Sequence, residues 1–473
     1  MAFAGISRVL YATHERALGR PTFSYLQELE KSQWLSRCEI ERLQMQKLKK
    51  LLRVASAHCP WHAARIMDAG IDLSDNTDLL TMRELRRLPT TDKQDMSVHI
   101  DQMVWRNVRG GAHQYNTGGS SGEPLIFYFG RKRQASDAAG RIRARRWWGV
   151  DTGEPEVYLW GAPVELNKTD RIKTIRDRLL NQLVLNAFEM SRASMDEYIG
   201  AIEVFRPKCI YGYASSVALL AAHAKGRNHR LELPNLKVVC TTGEPLYPEQ
   251  RNLISEVFGA PVANEYGSRD IGFTAHETPQ GQMLLMSESI LVEVLDQAGF
   301  PVAPGTVGEA VMTGLCSDAQ PFIRYRTGDM VRFTDELCGT GQGLHVIGEV
   351  AGRTTDFIVR ADGAIMHALA VIYVLRAVDG IAEFKLIQHK VDRFEVMVVP
   401  NSLWDIKAEA EIRSGLKARL GSEAHIELRL LDSIAPDASG KHRYVVSCVP
   451  LPAEAVPASP QIGEMKIDVH ESG

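Results

Sequence analysis

From residue 111 onward, short apolar runs alternate with stretches of helical length and periodicity, and this alternation restricts the chain more than any other feature. Candidate strands fall at 125–129, 157–160, 209–211, 238–240, 291–295 and 309–312. Candidate helices fall at 135–148, 169–188, 194–205, 214–225 and 248–258. The expected fold class is therefore α/β, with helices packed on the strands that they connect. Upstream, Leu26, Leu29, Trp34, Leu35, Leu43, Leu48, Leu51, Leu52 and Ala55 recur at three- and four-residue steps, which predicts helix over 22–58. Downstream, 384–388 and 394–399 read as a hairpin turning at 390–393. A helix at 404–420 and a strand at 425–431 complete an α+β unit of about 100 residues, a normal domain size. From 450 to 473 the sequence carries Pro450, Pro452, Pro457 and Pro460 with few large apolar residues, the composition of a disordered tail.

Composition removes several function classes. With 473 residues the chain is long enough for about three domains or an unequal pair. Lys and Arg number 55 against 58 Asp and Glu, so the global positive charge of a nucleic-acid binder is absent. No apolar run approaches the roughly 18 residues of a membrane span. The N-terminus has no basic residue before Arg8, which makes a poor signal peptide. Its apolar residues Phe3, Ile6, Val9 and Leu10 are expected to dock on the protein's own body. The seven cysteines are odd in number and widely spaced, with no C-x-x-C pair. That argues for a reducing compartment, and a cytoplasmic location is expected.

The densest local feature is Thr117, Gly118, Gly119, Ser120, Ser121 and Gly122. Glycines let backbone N–H groups approach an anion, and hydroxyls add donors for phosphate oxygens. No Gly-Lys-Ser/Thr ending follows, so this is not a Walker loop. It contains Gly118-x-Ser120-x-Gly122, the pattern of an esterase elbow, but an elbow needs a helix after it and residues 125–129 read as a strand. A plain hairpin turn needs fewer glycines. Three weaker motifs follow. Gly243-Glu244-Pro245 precedes a helix that leads to Glu265-Tyr266-Gly267-Ser268-Arg269-Asp270, where a ring could face a base and a carboxylate could hold a divalent cation. Arg324-Tyr325-Arg326-Thr327-Gly328-Asp329 places an acid on a turn, suited to accepting two ribose hydroxyls. Ser439-Gly440-Lys441 presents a cation at a loop tip. Taken singly, each is also an ordinary strand end, turn or exposed lysine.

In this order, the motifs make the chain resemble the phenylacetate–coenzyme A ligase family of adenylate-forming enzymes, most closely the branch found with capsular-polysaccharide genes. The resemblance covers nearly the whole chain through Lys441. It implies a large multi-layer α/β body over 1–352, a small α+β lid over 353–449 and a tail over 450–473. It implies activation of a small carboxylic acid with ATP and Mg2+, releasing pyrophosphate, and transfer of the acyl group to coenzyme A. An amide-forming ligase using an amine acceptor and a nucleotide-binding scaffold without catalysis are the alternatives. By resemblance the 117–122 loop holds phosphates, and Gly243, Glu244, Pro245, Glu265, Tyr266 and Gly267 line the nucleotide site. Asp329 binds ribose, and Lys441 joins the reacting carboxylate to the α-phosphate. Arg353 and Asp356 form the hinge, and Tyr211, Gly212 and Tyr213 line the acyl pocket. Relatives are often dimers, so a homodimer is a partner state that the resemblance implies.

This chain departs from the family at several points. Asp270 stands where relatives carry the Mg2+-contacting Glu, one methylene longer. Glu123-Pro124 closes the phosphate loop where many relatives have a basic residue. Cys338 lacks the C-x-C mate of a zinc site, Glu336 standing in its place, and no zinc is expected even with Cys316 and His345 counted. A further cluster, Arg131, Lys132, Arg133, Arg141, Arg143, Arg145 and Arg146 against the single acid Asp137, is expected to be a solvated helix face. Contact with nucleic acid or with the coenzyme A phosphates is the other use such a cluster could have.

Overall fold

The computed structural model describes residues 2–74, 80–116, 125–160, 176–187, 190, 192–229, 231–353, 357–362, 365–435 and 444–449. The tail expected at 450–473 lies outside the described residues. The chain divides into two compact units, the first reaching Gly352 and the second beginning at Arg353.

The first unit opens with helices α1 (Ala2–Ala17), α2 (Thr22–Ser32), α3 (Arg37–His58) and α4 (Pro60–Asp68), then the short α5 (Met82–Leu85), α6 (Lys93–Val98) and α7 (Ile100–Met103). The single helix expected over 22–58 is two. The first ends at Ser32, and Ser36 caps the second, its side chain accepting from Glu39 N–H while Glu39 returns to the Ser36 backbone. That reciprocal pairing satisfies donors which a continuous helix would not expose. The apolar stripe on α1 also differs from expectation. Ile6 and Val9 remain 56% and 65% exposed, and the helix packs instead through Ser7, Glu15 and Tyr11, whose ring meets Phe23 edge-on.

After a hairpin of β1 (His113–Asn116) and β2 (Ile126–Phe129) comes helix α8 (Arg131–Trp147). Strands β3 (Glu156–Trp160), β4 (Gln182–Asn186), β5 (Cys209–Tyr213), β6 (Val238–Thr242) and β7 (Val262–Ser268) run parallel. Strands β8 (Gly272–Glu277), β9 (Met283–Leu285), β10 (Ile290–Leu295), β11 (Val307–Gly314), β12 (Tyr325–Thr334) and β13 (Val346–Arg353) extend the sheet to the order β10-β11-β12-β13-β9-β8-β7-β6-β5-β3-β4. The helix expected at 169–188 is corrected: 182–186 forms edge strand β4, paired in register with β3. Leu183 and Leu185 support a strand period as well as a helical one, and pairing with β3 selects the strand.

Every residue of β5 and β6 is buried, as parallel strands covered on both faces must be. Ile210 and Val239 meet the helices Arg192–Phe205, Ala214–Gly226 and Pro248–Phe258 on one face. Cys209, Tyr211, Val238, Cys240 and Ala263 form the other face, below α8. Gly140 lets α8 approach closely, since a Cβ there would stand 2.9 Å from the Phe273 ring.

The second unit contains the hairpin of β14 (Phe357–Val359) and β15 (Ile365–His367) and a sheet of β16 (Ile381–Lys390), β17 (Arg393–Pro400), β18 (His425–Leu430) and β19 (Val445–Ser447). The sequence-derived hairpin, helix and following strand all appear, with the helix at Ile406–Leu420 capped by Asp405. Buried Gln388 ties β14 to the sheet: its amide donates to Val359 O at 2.6 Å and accepts from Val359 N–H at 3.1 Å.

Candidate active site

Open α/β sheets receive ligands beyond the carboxyl ends of their strands. At the end of β6 the chain turns through Gly243 at φ +78°, a conformation that L side chains resist. Glu244 then accepts from Ser215 N–H at 2.9 Å, placing a carboxylate on the amino end of helix Ala214–Gly226. The Gly-Glu-Pro turn is thereby fixed to the neighbouring βα connection.

On β7, Glu265 and Tyr266 point to opposite faces. Tyr266 donates its hydroxyl to Asp329 Oδ2 at 2.8 Å, joining two motifs 63 residues apart. Asp329 is held by its own turn. Its N–H donates to Thr327 Oγ1 at 3.1 Å, and that hydroxyl donates to Ala310 O at 2.9 Å. Gly328 supplies φ +73° between them. Gly267 must lack a side chain because a Cβ would stand 2.6 Å from Gly272 O, a backbone atom that cannot swing aside. Gly267→Ala is expected to lower stability by about 1–3 kcal/mol, read from the urea unfolding midpoint.

Asp270 is presented by residues that the sequence did not single out for this role. Its Oδ2 accepts from the Tyr325 hydroxyl at 3.0 Å and its Oδ1 from Ile271 N–H at 3.2 Å. Buried Arg133 donates to the carbonyls of Arg269, at 2.7 Å, and Asp270. Because Asp270 is only half-buried, its carboxylate can meet a hydrated divalent cation, the form in which Mg2+ is usually bound.

Glu265 faces α8. Its Oε1 accepts from Tyr211 at 2.8 Å and Thr242 at 3.2 Å, and Arg141 Nε stands at 3.7 Å. Burial, then the adjacent Glu265 charge, pushes the Tyr211 phenol well above its ordinary pKa, so it remains a donor. Burial by itself would lower the Arg141 guanidinium, but Tyr211 and Glu265 more than offset this and it stays charged. Trp160 stacks on Tyr213 at 4.4 Å and on Tyr211 at 5.6 Å between ring centroids. Gly212 is closed in by packing, with Leu159 O 2.7 Å from where its Cβ would be.

The expected solvated basic face is corrected. Arg143 pairs with Glu288, Arg145 with Glu156, Arg146 with Glu30 and Asp151, and Lys132 with Asp318. Arg133, Arg143 and Arg145 are buried. The helix is basic because it meets acids from α2, β3 and the loops beside the sheet. Thr117, Gly118, Gly119, Ser120, Ser121, Gly122, Asp356 and Lys441 lie outside the described residues, and Arg353 ends β13. Cys338 bonds Thr340 and Gln342, while His345 bonds Ser287. Burial lowers His345 to a pKa of about 4. Among the described residues, no group of three or more His, Cys, Asp and Glu is arranged to hold a metal.

Known proteins resemble this chain in sequence and in fold. Residues 358–448 match the CapK C-terminal domain. The protein named CapK from Staphylococcus aureus is 22% identical over 372 residues, 78% of this chain and 81% of its own length. Phenylacetate-coenzyme A ligase of Thermus thermophilus is 25% identical over 354 residues, 71% and 74% of the two chains. The crystal structure of 2-hydroxyisobutyryl-CoA ligase, in the postadenylation state with an acyl-AMP, superposes with TM-score 0.65 at 21% identity over 85% of this chain and 88% of its own. The last likeness shows the fold, that of an adenylate-forming ligase, and in sequence the chain is similar to CapK and to the phenylacetate–coenzyme A ligases.

Proposed function

We propose that the protein activates a small carboxylic acid with ATP, releasing pyrophosphate, and passes the acyl group from the acyl-adenylate to coenzyme A. The observation that carries this reading is the Tyr266–Asp329 hydrogen bond, which sets an aromatic ring and a carboxylate side by side on β7 and β12. A ring and an acid so placed suit a nucleoside, the ring facing the base and the carboxylate accepting ribose hydroxyls. In this reading Gly243, Glu244 and Pro245 border the base and the 117–122 loop receives the phosphates. Asp270 would hold Mg2+, which when bound neutralises phosphate charge. Lys441 meets the two anions that must react, and Arg353 and Asp356 form a hinge between two catalytic conformations.

The reading is tested by acid-dependent exchange of labelled pyrophosphate into ATP across a carboxylic-acid library, with mass-spectrometric trapping of the acyl-adenylate. Absence of exchange with every acid would overturn it. Coenzyme A yielding no thioester while an amine yields an amide would replace the acceptor. Asp329→Ala is expected to weaken ATP binding about tenfold or more, since hydrogen bonds to a charged group are lost. Calorimetric titration with ATP measures this, and unchanged affinity would remove Asp329 from the nucleotide site.

A further inference from the structure

One residue of α8 breaks the pattern of matched charges. Arg131 bonds Gln134, and Lys132, Arg133, Arg143, Arg145 and Arg146 all donate to acids or carbonyls of other elements. Arg141 makes no hydrogen bond among the described residues. Its Nε is buried without an acceptor, and its ion pair with Glu265 spans 3.7 Å. Yet 41% of the side chain is reachable by solvent, and the guanidinium lies over Phe273, 5.3 Å from the ring centroid. Glu265 is already engaged at Oε1 by Tyr211 and Thr242. The cluster sits at the carboxyl ends of β5, β6 and β7, the position where a ligand enters such a sheet.

We propose that Arg141 is a specificity-determining residue of the acid pocket, donating to a neutral oxygen, a hydroxyl or carbonyl, on the acyl part of the substrate. The proposal rests on the reading that this chain activates a carboxylic acid. A purely hydrocarbon acyl group would displace water from the guanidinium and return no acceptor, leaving a desolvated donor unmet. A second carboxylate would approach Glu265 as well as Arg141, so like-charge repulsion opposes it. A neutral oxygen meets the donor without adding charge, while Trp160, Tyr211 and Tyr213 supply an apolar flank.

The experiment compares wild type with Arg141→Met and Arg141→Lys on 3-hydroxybutyrate against butyrate, on 4-hydroxyphenylacetate against phenylacetate, and on succinate. Pyrophosphate exchange and calorimetric binding of each acid are read separately, with circular dichroism and the urea midpoint confirming that each variant folds. In at least one pair the oxygenated acid is expected to exceed its parent by about tenfold in kcat/KM. Arg141→Met brings that ratio near one, and Arg141→Lys restores part of it. A folded Arg141→Met that keeps the ratio overturns the proposal, as does preference for the parent acid in both pairs or for succinate over all the other acids. If no acid supports exchange but the oxygenated acid binds and loses binding in Arg141→Met, the activation reading falls and this one stands. If parent acids alone exchange, the activation reading stands and this one falls. Neither exchange nor binding with any of these acids overturns the assignment of this pocket.

Discussion

Arg143→Leu is expected to lower the unfolding free energy of the first unit by about 3–5 kcal/mol, because removing one partner leaves the other charge buried. The Arg143 and Glu288 side chains are each 1% exposed. The guanidinium bonds both carboxylate oxygens, at 2.5 and 3.1 Å, and also reaches Leu29 O at 3.0 Å. Ser32 donates to the same carboxylate at 2.8 Å, and Lys47 donates to the Glu288 carbonyl at 2.7 Å. The pair therefore fastens α2, α3 and α8 to the segment between β9 and β10. Urea denaturation measures the loss. The double variant Arg143→Leu with Glu288→Leu is expected to recover most of it, since a buried pair replaced by apolar groups loses little net energy. If the double variant is as unstable as the single one, packing rather than the uncompensated carboxylate sets the cost. Burial opposes ionisation of Glu288, but Arg143 and the hydrogen bonds overcome it and hold the carboxyl below its usual value of 4.5. A depressed carboxyl stabilises the fold fully above the unfolded value and loses that contribution as pH falls through the folded one. The wild type should thus lose this contribution in acid, and Arg143→Leu should show a weaker loss over the same range.

The same pair shows where sequence reading stops. Seven basic residues on one helix look solvated because local sequence holds a single acid, Asp137. Three of their partners are 116 residues away at Glu30, 145 at Glu288 and 186 at Asp318. Burial of such a helix depends on topology, which no local charge count contains. Parallel strands β3, β5 and β6 were legible because continuous apolar runs have few other uses in an α/β chain, whereas β4 was read as helix. Strands β7, β8 and β9 were not legible, since β7 and β8 mix polar and apolar residues in no decisive period and β9 has only three residues. The break in the first long helix had a local signal, the Ser36-x-x-Glu39 capping box. In the site, Tyr266 and Asp329 could be named from motif order. The residues that present Asp270, Arg133 and Tyr325, could not, because their roles arise from contacts to backbone carbonyls and across strands. Arg141 was visible only as one charge among seven. Its difference lies in a hydrogen bond it does not make among the described residues.

Lys441→Ala is expected to reduce acid-dependent pyrophosphate exchange by about 10²–10³-fold, the usual cost of removing one group that stabilises charge in a transition state. In the proposed reaction the first step brings a carboxylate against the α-phosphate of ATP, two anions whose repulsion rises as they approach. A cation bound to both lowers that repulsion most when the new bond is forming, so its loss appears in kcat more than in ATP affinity. The second step has different needs, because the acyl-adenylate is already activated and the attacking thiol requires no bridge between two anions. Thioester formation from supplied acyl-adenylate is therefore expected to run near the parent rate in Lys441→Ala. Stopped-flow mixing of enzyme, acyl-adenylate and coenzyme A measures that step alone, and exchange measures the other. Equal loss in both steps would assign Lys441 to folding or to general electrostatics. Loss confined to the second would reverse its place in the reaction. Loss confined to the first supports a lysine that acts in adenylation and is withdrawn before the acceptor attacks.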